Sequence, residues 1–129
     1  MANEATQVEG PYEVHDFDVY DSQAIPMGSI CVFSGSRACK VSFANDDVVA
    51  GIAMSEKVAL DGTTRIGLAT SGIFKCYFDA ACALGNQVTI SGANILKIYT
   101  TCDEEKGYVL GKLLETATAG TYKEVYVST

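Results

Sequence analysis

The chain carries one glycine-punctuated pattern twice, 57 residues apart. Met27-Gly28-Ser29-Ile30-Cys31-Val32-Phe33-Ser34-Gly35 lies over Leu84-Gly85-Asn86-Gln87-Val88-Thr89-Ile90-Ser91-Gly92. At the same offset Lys40-Val41 meets Lys97-Ile98. Val49-Ala50-Gly51 then meets Val109-Leu110-Gly111 at an offset of 60, and Gly62-Thr63 meets Gly120-Thr121 at 58. Identities are few, but the glycine landmarks keep their order. A unit that cannot bury its apolar face alone has to close against its copy. The repeat therefore predicts one body of two similar halves, about 27–70 and 84–129.

Within that body, short runs rich in Val, Ile, Thr, Phe and Tyr alternate with Gly, Asn, Asp and Ser. Strands are predicted at 29–34, 37–43, 48–54, 64–70, 72–78, 86–91, 94–100, 107–115 and 121–128. Ser34-Gly35-Ser36-Arg37 and Ser91-Gly92-Ala93-Asn94 read as hairpin turns. Only Phe78–Leu84 and Thr101–Lys106 leave room for a turn or two of helix. With 129 residues, 48% of them hydrophobic, the chain can bury one ordinary core. The predicted class is all-β, a small barrel or sandwich. No apolar run is long enough for a spanning helix. The first residues, Met1-Ala-Asn-Glu-Ala-Thr-Gln, have neither a basic region nor an apolar segment, so no secretory signal is expected.

Charge divides the chain near residue 26. Residues 1–26 hold six acids and no Lys or Arg, whereas 27–129 hold ten acids and nine bases. An acidic N-terminal arm therefore precedes a nearly neutral body. That distribution argues against nucleic acid and anionic membrane, which both select basic surfaces. It suits a partner with a basic face, or a solubilising tail. Ordering an isolated arm costs roughly 1–2 kcal/mol per residue. Its few apolar side chains cannot offset that alone, so the arm is expected to order only against a surface.

The reactive side chains form no recognisable site. Five cysteines (31, 39, 76, 82 and 102) include no Cys-x2-Cys pair, and the single histidine lies far from them. Cys31 and Cys39 are equidistant from Gly35, which allows a cross-strand disulfide. Their repeat counterparts, Val88 and Leu96, favour buried free thiols instead. His15 with Asp16, Asp18 and Asp21 lacks the glycine-centred loop of a calcium site. Asn45-Asp46-Asp47 reads as a capped turn and Asp103-Glu104-Glu105 as an exposed acidic one. Arg65 and Lys123, near matching points of the repeat, read as strand-edge charges. No phosphate loop, dinucleotide fingerprint or nucleophile elbow occurs. No enzymatic activity, cofactor or metal is expected.

From Ile25 to Thr129 the order of features resembles the small decoration, or cement, proteins of tailed bacteriophage capsids. The elements that carry the resemblance begin with Ile25-Pro-Met-Gly-Ser-Ile, Val49-Ala-Gly-Ile-Ala and Asp61-Gly-Thr-Thr-Arg-Ile-Gly-Leu. They continue with Ser71-Gly-Ile-Phe-Lys-Cys, Leu84-Gly-Asn-Gln-Val-Thr-Ile, Gly107-Tyr-Val-Leu-Gly-Lys-Leu-Leu-Glu and Gly120-Thr-Tyr-Lys-Glu-Val-Tyr-Val. The resemblance implies a virion protein on the outer capsid surface, assembled in the host cytoplasm. It would bridge neighbouring capsomers and stabilise the expanded shell, its partners being the major capsid protein and copies of itself, with a trimer favoured. An extended arm would grip the lattice. Val8, Tyr12, Val14, Phe17, Val19 and Tyr20 would fill grooves, and Glu9, Glu13, Asp16 and Asp18 would meet basic capsid side chains. The rival expectations are a receptor-binding or head/tail-associated virion module and a small-ligand-binding β-barrel.

Overall fold

The computed structural model describes residues 3–42, 48–98 and 109–129. Among them the protein is all-β, with β1 (Thr6–Asp18), β2 (Ile30–Gly35), β3 (Ala38–Val41), β4 (Val49–Ala53) and β5 (Arg65–Phe78). There follow β6 (Gln87–Gly92), β7 (Ile95–Ile98), β8 (Val109–Leu113) and β9 (Thr121–Ser128). All nine strands join one sheet in the order β1-β3-β2-β4-β5-β7-β6-β8-β9, with added β1–β5 and β5–β9 pairings. The sheet thus curls back on β5 from both ends. Closure is partial, because β1 touches β3 only at Asp18–Ala38 and β5 touches β7 only at Tyr77–Ile95 and Phe78–Leu96.

The two halves share pairing as well as sequence. In the first hairpin Cys31 faces Val41 and Phe33 faces Cys39; in the second Val88 faces Ile98 and Ile90 faces Leu96. Both hairpins slip register at their glycine, Gly35 or Gly92, and turn through a residue with positive φ, Arg37 (54°) or Asn94 (60°). Gly51 pairs with Cys31 just as Gly111 pairs with Val88. A Cβ on Gly51 would meet the Ala69 carbonyl, and one on Gly111 would collide with the Tyr126 carbonyl. That close approach explains why the repeat keeps these glycines.

Strand β5 corrects one expectation. The separate strands predicted at 64–70 and 72–78 are one strand running through Ser71 and Gly72. Its first part closes the first half against β4, at Ile52–Ala69, and its second part opens the next half against β9. One strand serving both halves cannot be broken between them. The segment Phe78–Leu84 is not helical. It leaves β5 and makes an isolated bridge between Cys82 and Ala117. Residues Thr101–Lys106 lie outside the described residues.

Strand β1 corrects a larger one. The arm is not an appendage but a strand lying antiparallel along most of β5, from Thr6–Lys75 to Asp18–Arg65. It stands to the first half as β5 stands to the second, ending in a parallel contact with the hairpin. Its register slips around Gly10-Pro11, where proline has no N–H to offer the ladder. Ala5 N–H donates to the Gly28 carbonyl at 2.7 Å, fastening the start of the strand to the body. Phe17, Val19 and Ile25 are buried in one cluster with Cys31, Cys39, Ala50, Ala53, Ile66 and Leu68. Three of nine buried positions in that core thus come from the acidic segment. The surface that orders the arm is its own body.

Candidate functional site

Strand β1 divides its side chains unequally. Phe17 and Val19 point into the core at 5% and 6% exposure, whereas Tyr12, Val14, Val8 and Tyr20 remain 58%, 46%, 40% and 68% exposed. The ten candidate docking residues therefore separate physically. Val8, Tyr12, Val14 and Tyr20 lie on the surface with Glu9, Glu13, Asp16 and Asp18, whereas Phe17 and Val19 are internal. Phe17 stacks edge-on against Phe33 with centroids 5.6 Å apart, and the Arg37 guanidinium lies 5.4 Å from its ring. Neither Phe17 nor Val19 is available to fill a groove on a partner.

The outer carboxylates differ in freedom. Asp18 approaches Arg65 at 3.5 Å and Glu13 approaches His15 at 3.9 Å, both as exposed pairs. Such pairs contribute little to stability and separate readily for a better partner. Arg37 Nε donates to the Asp16 carbonyl at 2.8 Å, leaving the Asp16 carboxylate outside that bond. β1 therefore presents an acidic strip interrupted by Tyr12 and Val14. Proline and acids along the outside of a sheet discourage unspecific strand addition.

Below Tyr20 the structure contains a feature the sequence did not suggest. Lys57 is 2% exposed, and its Nζ donates to the carbonyls of Asp21 (2.7 Å) and Val58 (3.2 Å). The ammonium also meets the carboxylates of Asp61 (3.3 Å) and Asp21 (3.5 Å). Asp21 Oδ1 accepts from Gly62 N–H at 2.7 Å, and its carbonyl accepts from Leu60 N–H at 2.7 Å. The Thr63 N–H, followed by Val58 N–H and Lys57, draws the Asp61 carboxyl down to about 2. Ile25 and Lys57 pair as an isolated bridge, so this cluster fastens the chain leaving β1 to the 57–62 turn. A lone lysine between Glu56 and Val58 gives no signal of burial. Only its alignment with Ala117 hints that this position faces inward.

The remaining candidates do not assemble into chemistry. Of the imagined cation ligands, His15 faces Glu13, Asp18 faces Arg65, and Asp21 is taken by Lys57. Among the described residues no group of three His, Cys, Asp or Glu side chains could hold a metal. Cys31, Cys39, Cys76 and Cys82 are buried free thiols. Cys31 and Cys39 sit diagonally rather than opposite, because the hairpin slips at Gly35. A hydrogen bond with Cys39, then burial, pushes the Cys31 thiol up, and burial alone pushes Cys76 up to about 12. Cys102, Asn45-Asp46-Asp47 and Asp103-Glu104-Glu105 lie outside the described residues.

No protein-family model matches the chain, and no curated protein matches it. Among solved structures, it is similar to the N base of the head fiber gp8.5 of bacteriophage phi29, with a TM-score of 0.58. The superposition covers 90% of this chain and 93% of that one at 13% identity. The likeness is one of fold. It spans nearly all of both chains.

Proposed function

We propose that this protein is a structural component of a bacteriophage virion, held on the outside of the head. The observation that carries the reading is the near end-to-end fold likeness to a phage head fiber base. The sequence resemblance to capsid cements supports the same virion association, and the outer surface is the position that the resemblance implies. Docking uses the outer side of β1. Tyr12, Val14 and Val8 supply apolar contact, while Glu9, Glu13, Asp16 and Asp18 steer the strip toward basic side chains of the major capsid protein.

The mechanism is physical. A strand already paired along β5 loses little freedom on docking, so most of its contact energy remains for binding. Assembly as a trimer would make each later contact intramolecular, turning weak single contacts into lasting attachment. Bridging of neighbouring capsomers, and with it reinforcement of the shell, follows from that multivalency. A second reading, the base of a projecting fiber, is favoured by the neighbour's own description as a head fiber base.

The test is addition of purified full-length protein to heads of the source phage that lack it, followed by sedimentation. Saturable pelleting at a fixed number of copies per head supports the proposal; no pelleting over a wide concentration range ends it. Heads that withstand more heat once saturated favour the cement role. Unchanged heat resistance favours the fiber base.

A further inference from the structure

The repeat supplies its own control for what the fold requires at the 57–62 turn. The bridges Ile25–Lys57 and Cys82–Ala117 are equivalent, and the turns that follow them align at an offset of 60. Gly120 therefore corresponds to Leu60 and not, as the sequence spacing suggests, to Gly62, which lies in the extra residues before β5. In the second half those turn positions are Thr118 and Gly120. In the first they are Val58 and Leu60, which are 61% and 75% exposed. Leu60 has φ of 61°, a left-handed conformation that Gly120 adopts at 80° without a side-chain penalty. A non-glycine residue is disfavoured there, because its Cβ crowds the following carbonyl oxygen. The first half therefore carries two apolar side chains in water, one on an unfavourable backbone, where its twin is polar and relaxed. Strain kept at an exposed position is a mark of function.

The same corner is rigid and charged on one side. Asp21 accepts from Leu60 N–H, and Asp61 Oδ2 accepts from Val58 N–H at 3.1 Å, locking this turn to the one bearing Tyr20, itself 68% exposed. The ammonium of Lys57 faces inward, while the side chains of Asp21 and Asp61 keep 39% and 31% exposure. Exposed Glu56 adds a third carboxylate. Arg65 stands on the β1 side, where it faces Asp18. Val58 and Leu60 thus flank the Asp61 carboxylate, and the Leu60 N–H bond to the Asp21 carbonyl brings the exposed turn of Tyr20 and Asp21 beside them.

We infer that Tyr20, Val58 and Leu60 form a preorganised plug for a protein surface of opposite design, an apolar pocket rimmed by Lys and Arg. This rests on the proposed head attachment and places that pocket on the head shell. A second copy of the chain fits less well, because a symmetric contact would bring two sets of carboxylates together. An aromatic and two aliphatic side chains held by buried hydrogen bonds have the character of an interface anchor, with the carboxylates supplying specificity.

The test compares full-length wild type with Tyr20→Ser/Val58→Thr/Leu60→Gly in the sedimentation assay on source-phage heads, with thermal unfolding of each. Loss of the plug should weaken half-saturation roughly ten- to a hundredfold. Leu60→Gly alone takes the residue its twin uses, so it should bind more weakly while melting no lower than wild type. Glu56→Lys should weaken binding further. Wild type and triple variant pelleting alike would overturn the plug and leave head attachment standing. Failure of wild type to pellet would remove both. A triple variant that loses self-association but keeps head binding would make the occupant a second copy and contradict the partner inferred.

Discussion

At equivalent bridges the two halves of this protein solve one packing problem differently. Cys82 meets Ala117 in the second half, and small apolar side chains suffice. Ile25 meets Lys57 in the first, where a buried ammonium collects two carbonyls and two carboxylates. The difference follows from what precedes each bridge. β5 enters the second half already paired on both sides, to β1 and β9 along its second part. β1 enters the first half as the outer member of its pairing with β5 and meets β3 at one position. A strand held mainly from one side needs fastening where it leaves the sheet, and Lys57 provides it. Symmetry of fold does not require symmetry of fastening.

The largest effect should come from removing what β1 buries. Phe17→Ala is expected to cost about 3–5 kcal/mol, because the core around Ile66 and Leu68 cannot close over the lost ring. Chemical denaturation would show it. A loss below ~1 kcal/mol would mean that β1 lies on the sheet without sharing its core. Lys57→Ala, which imposes the second half's residue on the first, should cost less, about 1–3 kcal/mol. The carboxylates it abandons are partly exposed and can rehydrate. Limited digestion by a glutamate-directed protease should then cut at Glu9 and Glu13 faster in this variant than in wild type. Equal rates would show that the cluster does not fasten β1.

Acid should loosen the first half before the second. The carboxyl of Asp61 falls from its ordinary 3.8 to about 2 on folding, so its contribution is complete above about pH 4 and fades as pH drops through about 2. Amide exchange between pH 4 and 2 should therefore accelerate around Asp21 and Gly62 before the bridge at Cys82–Ala117, and Asp61→Asn should remove that pH dependence. Simultaneous loosening of both halves would contradict it. The smallest effect concerns thiols. Cys31 and Cys76, both buried and pushed upward, should resist alkylation in the native state and react fully once unfolded, as mapped by mass spectrometry.

Much of this comparison was legible in the sequence. The glycines at 51 and 111 announced the repeat because each marks a close backbone approach, and close approaches leave glycine behind. The hairpins at Gly35 and Gly92 were equally plain. Strand β1 was hidden because its acids suggested a solvated tail, although Phe17 and Val19 already alternated with Asp16 and Asp18 as a half-buried strand should. The few apolar side chains of the arm do not have to offset its entropy alone, because the neighbouring β5 supplies a ladder of hydrogen bonds. Lys57 was illegible for another reason. Asp61 is four residues away within the same turn, but Asp21 approaches through tertiary structure, and no local spacing records a contact between a lysine and an aspartate 36 residues earlier.

The most direct test of the account is a cryo-electron microscopy reconstruction of source-phage heads saturated with the protein. The account predicts density for the two-halved body outside the shell, with the outer side of β1 and the Tyr20–Leu60 corner turned toward it. Density that meets the shell through β9 and the second half, or heads that remain bare at saturating concentration, would contradict it.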